Sequence, residues 1–259
     1  MTRACIVAIC AMASLITPSA RAQHAGDIAI TLSNGALQTN RYDENLQPVP
    51  ARVFAGTFGD TGVPQFTADP GYEAASGTFA TGTRIGWKSV ASLLRWDGND
   101  FVATDAQVQF KYLTASFVVA ASPVTGFTVL VSSSGGLHRH LNMTLLGAGG
   151  AAPQAGAYLV PMQLYTTTPS MQSETYWLVL NESLPQLAFD AAVAEARARF
   201  EAAPCFGDVD GSGEVDNGDV AFALLDYGPC PSCPSDLDGT GEVDFGDVAL
   251  ILLSTGPCP

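Results

Sequence analysis

Two stretches near the end of the chain are dense in carboxylates at regular spacing. Asp208, Asp210, Ser212, Glu214, Asp216 and Asp219 recur 28 residues later as Asp236, Asp238, Thr240, Glu242, Asp244 and Asp247. Each stretch reads Asp-x-Asp-Gly-[Ser/Thr]-Gly-Glu-Val-Asp-x-Gly-Asp. Calcium is a hard cation that takes six to eight oxygens at about 2.3–2.6 Å, and a loop that wraps it offers them at positions 1, 3, 5, 7, 9 and 12. The residues just named hold those positions, with the main-chain carbonyl of Glu214 or Glu242 at position 7. Position 6 must turn sharply, and Gly213 and Gly241 stand there. Four carboxylates in so short a loop repel one another unless a cation sits among them. The spacing therefore predicts two calcium ions, one per loop. A hydroxyl at position 5 and Asp rather than Glu at position 12 suit structural or extracellular calcium better than a cytosolic sensor. Magnesium demands a tight octahedron and retains water. The competing reading is an acidic, turn-rich tail without a specific ligand, and two complete copies argue against it.

A second group is sparser. The chain has three histidines, His24, His138 and His140. On a strand, residues 138 and 140 point to one face about 7 Å apart, together with Asn142 and Thr144, while Leu137, Leu141, Met143 and Leu145 mostly hold the other. Two imidazoles so placed are candidate ligands for zinc or copper, with His24 as a third if the N-terminal strand lies alongside. The alternative is a solvated polar face with two ordinary histidines. No catalytic constellation stands out: there is no Gly-x-Ser-x-Gly, His-Glu-x-x-His, P-loop or dinucleotide fingerprint. Asp97 and Asp100 are a candidate glycosidase pair, against the simpler reading of a turn with solvated acids. Trp87, Trp96 and Trp177 are candidates for a sugar-binding surface, although such residues are more often core.

The elements that carry these residues differ along the chain. Arg3, an apolar run from Ala4 to Ile16, and Ala20-Arg21-Ala22 read as a secretory signal peptide over residues 1–22. No other stretch is long and apolar enough for a membrane span. Residues 23–183 read as a mainly β region, an antiparallel β-sandwich or barrel. Its candidate strands are 28–32, 53–55, 108–113, 116–121, 127–132, 137–146, 157–166 and 175–181, rich in Val, Ile, Phe, Tyr and Thr and parted by Gly, Pro and Ser. Residues 90–96 are a candidate helical turn. Residues 184–204 read as a connecting helix of about four turns, with Phe189 and Phe200 packed rather than exposed and Pro204 ending it.

Composition marks the tail as separate. The chain of 259 residues carries 11 basic and 25 acidic side chains, a net charge of −14. Without Arg3 and Arg21 the exported chain keeps 9 basic residues, a charge of −16. Residues 205–259 hold 11 of the acidic residues and no Lys or Arg. This balance argues against nucleic acid as a partner. Cys5 and Cys10 leave with the signal, so Cys205, Cys230, Cys233 and Cys258 remain, an even number that predicts two disulfides in an exported chain. The 28-residue period favours Cys205–Cys230 with Cys233–Cys258. The rival is Cys205–Cys258 with Cys230–Cys233.

The tandem loops, each followed by an apolar segment, make residues 205–259 resemble the type I dockerin module, two loop-plus-helix calcium units without the leading helix of an EF-hand. The resemblance implies helices over 219–227 and 247–254 and a shared core of Leu224, Leu225, Leu250, Leu252 and Leu253, while Val215 and Val243 at loop position 8 are themselves expected to pair the two loops through a short strand contact. It implies a cohesin-like or cell-surface scaffold protein as partner. At loop positions 10 and 11, often hydroxylated in the cellulosomal pattern, this chain has Asn217-Gly218 and Phe245-Gly246. Over about residues 24–203, Arg52-Val-Phe54, Phe66-Thr-Ala-Asp-Pro-Gly71, Ile85-Gly-Trp87, His138-Arg-His-Leu-Asn142 and Tyr176-Trp-Leu-Val-Leu-Asn181 resemble secreted proteins of planctomycetes and cyanobacteria, some of them zinc-regulated.

Three functions compete on these grounds. The first is a secreted, non-catalytic protein attached or assembled through the calcium module. The second is an extracellular enzyme on polysaccharide, borne by the same module. The third is an extracellular zinc- or copper-binding protein using the histidine strand.

Overall fold

Period-two burial organises most of the chain. The computed structural model describes residues 26–201, 206–210, 212, 214–230 and 233–257. The expected signal peptide, His24, Gly213, Cys205 and Cys258 lie outside them. The described chain is mainly β, with three α-helices, and falls into two compact units parted after Ala192.

Three sheets make up the first unit. One runs β13 (Leu137–Arg139), β6 (Tyr72–Ala74), β1 (Ile28–Ser33), β2 (Ala36–Tyr42), β3 (Pro48–Pro50). A second runs β11 (Ala115–Val119), β10 (Gln107–Tyr112), β14 (Asn142–Leu146), β5 (Phe66–Thr67). The third runs β12 (Val124–Leu130), β7 (Arg84–Ser89), β15 (Gly156–Thr166), β16 (Tyr176–Glu182), β4 (Val53–Thr57), with β8 (Leu94–Trp96) and β9 (Phe101–Ala103) beside β15. Pairing is antiparallel except at β1–β6 and β16–β4, which run parallel. Alternate residues of all three sheets meet in one core: Ile28 and Ile30 from the first, Val108 and Phe110 from the second, Trp87 and Leu178 from the third. β15 is buried along nearly its whole length and has strand neighbours on both edges.

Several expectations are corrected here. Residues 90–96 form no helical turn; their end is β8, an extended strand between β9 and β15. The expected strand 137–146 is two strands in different sheets. It breaks at His140-Leu141, where Leu141 turns fully into the core. Asn142 and Thr144 therefore belong to β14, away from the sheet of His138. Trp87 and Trp96 are core, and Trp177 is half-buried beneath the Arg52 guanidinium, so the three form no open sugar platform.

The connecting helix is α1 (Gln186–Phe200). Phe189, Ala192, Val193 and Ala196 follow the i, i+3, i+4, i+7 stripe of an amphipathic helix and are buried; Leu187 is exposed.

The second unit repeats one motif twice. The first copy has β17 (Glu214–Val215), α2 (Asn217–Leu225) and β18 (Gly228–Pro229); the second has β19 (Glu242–Val243), α3 (Phe245–Leu253) and β20 (Gly256–Pro257). β17 and β19 do not pair with each other. β17 pairs with β20, and β18 with β19, so each loop is bridged to the end of the other copy. This corrects the expected Val215–Val243 strand contact. Both valines are nonetheless buried in a shared core with Val209, Ala223 and Ile251.

The expected leucine core is also corrected. Leu225 and Leu253 are 85% and 84% exposed, and Leu224 and Leu252 are about half exposed. The reason is angular. Each helix turns about 100° per residue, and the position-12 carboxylates, Asp219 and Asp247, are fully buried. With those side chains inward, Ala223 and Ile251 lie one turn on and face inward too. The next two residues, the leucine pairs, then point away.

Candidate metal centres

In the tail, one carboxylate oxygen each from Asp208, Asp210 and Asp219 lies within 4.8 Å of the others, and the same holds for Asp236, Asp238 and Asp247. Backbone N–H groups orient them. The Ser212 N–H donates to Asp208 and Asp210, each at 2.9 Å, and the Thr240 N–H to Asp236 at 3.0 Å and Asp238 at 3.1 Å. At position 12, Asp219 Oδ1 accepts from the N–H of Val209 at 2.7 Å and of Asp210 at 3.1 Å, and Oδ2 from that of Asp216 at 2.8 Å. Asp247 repeats this with Leu237, Asp238 and Asp244. Burial alone would raise these two carboxyls, but the three N–H donors outweigh it and hold both below the ordinary carboxylate value.

The remaining loop positions are not part of these clusters of three carboxylates. The hydroxyls of Ser212 and Thr240 lie 3.0 and 3.2 Å from the carbonyls of Glu214 and Glu242, which brings the position-5 and position-7 oxygens together. Asp216 and Asp244 at position 9 serve as helix N-caps, each accepting a 2.6 Å bond from the N–H two residues on. Position 11 is glycine for lack of room: a Cβ on Gly218 would stand 2.8 Å from Asp210 Oδ2 and 2.9 Å from Asp216 Oδ1. Gly241, at φ +87°, makes the sharp turn at position 6.

The cysteine pairing within each repeat is overturned. Cys230 is bonded to Cys233, three residues away. The repeats are bridged to each other through β17–β20 and β18–β19 rather than closed separately, so the period carried no information about the pairing.

In the first unit, strand register places the histidines. Ile28 of β1 faces Tyr72 of β6, and Tyr72 faces Arg139 of β13. One residue further along, that row becomes Asp27, Gly71 and His140. The Gly71 N–H donates to Asp27 Oδ1 at 3.0 Å, and a Cβ on Gly71 would stand 2.6 Å from the His140 ring and 2.7 Å from that oxygen. His138, two residues back, lies on the same face. The Nε2 atoms of His138 and His140 are 3.3 Å apart, and Asp27 Oδ2 lies 3.4 Å from the first and 3.9 Å from the second. Asp27 is buried, and its Oδ2 accepts no hydrogen bond. His140 Nδ1 lies 3.0 Å from both the Ala68 carbonyl and an Asp69 carboxylate oxygen.

Sequence reasoning paired the two histidines but missed Asp27, which lies more than a hundred residues from either. The signal available was the row of register partners, which needs the sheet order. Asp97 and Asp100 do not converge on a substrate site: Asp97 caps its own turn by accepting from the N–H of Asn99 and Asp100, and Asp100 bonds the N–H of Phe101. No protein-family model matches the chain, and no curated protein matches it.

Proposed function

We propose that this is an exported, non-catalytic protein whose β-rich unit is carried by a calcium-stabilised attachment module of the dockerin kind. The observation that carries the proposal is the duplicated convergence of the position 1, 3 and 12 carboxylates. Two oxygens that share one calcium at about 2.3–2.6 Å stand no more than about 5 Å apart, which the 4.8 Å clusters meet. Asp208, Asp210, Ser212, the Glu214 carbonyl, Asp216 and Asp219 would hold one ion, and the matching six residues of the second loop the other. The ion supplies charge compensation, so its binding energy becomes folding energy of the module.

Export is supported by the signal-like N-terminus and by a disulfide, which persists in oxidising compartments. Attachment is supported by the leucine pairs exposed at matching places on α2 and α3. They offer an apolar surface to a cohesin-like or cell-surface scaffold protein. The all-acidic tail disfavours nucleic acid, and no helix among the described residues is long and apolar enough to cross a membrane.

Calorimetry on the mature chain should find two calcium ions, reduced to one by Asp208→Ala or by Asp236→Ala. Immobilised type I cohesin modules should retain the protein in calcium, release it on chelation, and fail to retain Leu225→Glu/Leu253→Glu. No calcium uptake overturns the whole proposal. Uptake without retention overturns the attachment alone.

A further inference from the structure

Asp27, His138 and His140 bring three lone-pair atoms to one point, with Oδ2 and the two Nε2 atoms 3.3, 3.4 and 3.9 Å apart. An Nε2–H on His138 could reach the other two atoms only as a long, shared hydrogen bond at 3.3–3.4 Å, whereas a metal ion would bind all three.

The surroundings prepare the site for a metal. His140 Nδ1 faces a carbonyl and a carboxylate, both of which only accept, so this nitrogen carries the hydrogen. In the neutral ring the lone pair is then on Nε2, aimed at the cluster. This is the outer-shell arrangement that fixes metal-binding histidines. Asp27 Oδ2 is a buried carboxylate oxygen with no hydrogen-bond donor, directed at both rings. Gly71 keeps the approach open, since any side chain there would strike the His140 ring and Asp27.

The distances choose the ion. Ligands at about 2.0–2.2 Å in a tetrahedron lie about 3.3–3.6 Å apart. Two of the three edges have that length, and the third closes with a shift of a few tenths of an ångström. Two imidazoles with one carboxylate suit a borderline ion rather than calcium or magnesium. We infer that Asp27, His138 and His140 form a zinc site on the β-rich unit, separate in place and chemistry from the calcium loops. Both histidine side chains are over a third exposed.

The test uses the mature chain, stripped with chelator and held in excess calcium so that the tail loops are filled. Zinc titration should show one equivalent, absent in His138→Ala/His140→Ala, with calcium stoichiometry unchanged. Asp27→Asn should weaken zinc at least tenfold. Cobalt in place of zinc should give the visible absorption of a four-coordinate site, and zinc-edge X-ray absorption should show two imidazoles. The inference is overturned if the wild type takes up no zinc in calcium, or if the double variant retains the equivalent. Should the double variant not fold, the wild-type X-ray absorption decides: imidazole scattering supports the site, and oxygen-only scattering overturns it.

Discussion

The β-rich unit and the tail are held together by different means. The first buries aromatic side chains whole. Tyr72 packs edge-on against Trp87, and its hydroxyl meets that of Tyr176 at 2.9 Å in the middle of the core. The second buries three valines, an alanine and an isoleucine, and at the same depth two carboxylates. At about 1.5–3 kcal/mol per large apolar side chain, the tail's apolar burial is slight. Its loops are instead laced by backbone donors onto Asp219 and Asp247. One unit has an apolar, aromatic interior; the other gathers acidic oxygens that could hold a metal ion.

The contrast breaks most sharply on calcium. Each site that sees calcium at about a thousand times its Kd gains about 4 kcal/mol. Chelation should therefore abolish amide-exchange protection in α2 and α3 while leaving protection in β15 and β16 unchanged. Equal loss in both units would end the comparison. The reciprocal experiment is Trp87→Ala, expected to cost the β-rich unit about 3–5 kcal/mol with two calcium ions still bound. Alkali sharpens it further. Burial raises the phenols of Tyr72 and Tyr176 above the ordinary 10.0, Tyr176 further raised by its tyrosine partner. A raised folded value means stability present below pH 10 and lost above it. Unfolding of the β-rich unit above that pH should accompany the last tyrosinate absorbance, and Tyr176→Phe should lessen the pH dependence. The smallest effect is expected at the tail's exposed leucines. Leu225→Ala or Leu253→Ala should change stability by no more than about 0.5 kcal/mol; a loss above 1 would return them to the core.

How much the sequence discloses follows the same division. The convergence of Asp208, Asp210 and Asp219, and of Asp236, Asp238 and Asp247, was legible because their spacing is a local property of twelve positions. Strands such as β15 and β16 were legible from apolar runs that mix aliphatic and aromatic residues. β7 was not, because its run Arg-Ile-Gly-Trp-Lys-Ser is broken by Gly86. That glycine is there because the Tyr165 ring lies against its backbone, where a Cβ would come within 2.3 Å. β2 was hidden by Gln38, Thr39, Asn40 and Arg41, whose polarity is absorbed locally: the Thr39 hydroxyl bonds the Ala51 carbonyl and the Asn40 amide the Thr31 hydroxyl. Asp27 was hidden by distance along the chain. The leucines misled because composition marks a helix as apolar without saying which side a buried carboxylate has taken.

The crossed bridging of β17 to β20 and of β18 to β19 means that neither 28-residue half closes its own strand pairs. A message cut short before Gly256 would strip the first loop of its partner strand while leaving every codon of that loop intact. A duplication of one half would add a copy with nothing to exchange ends with. A lesion at Gly256 thus removes the strand partner of Val215, some forty residues upstream.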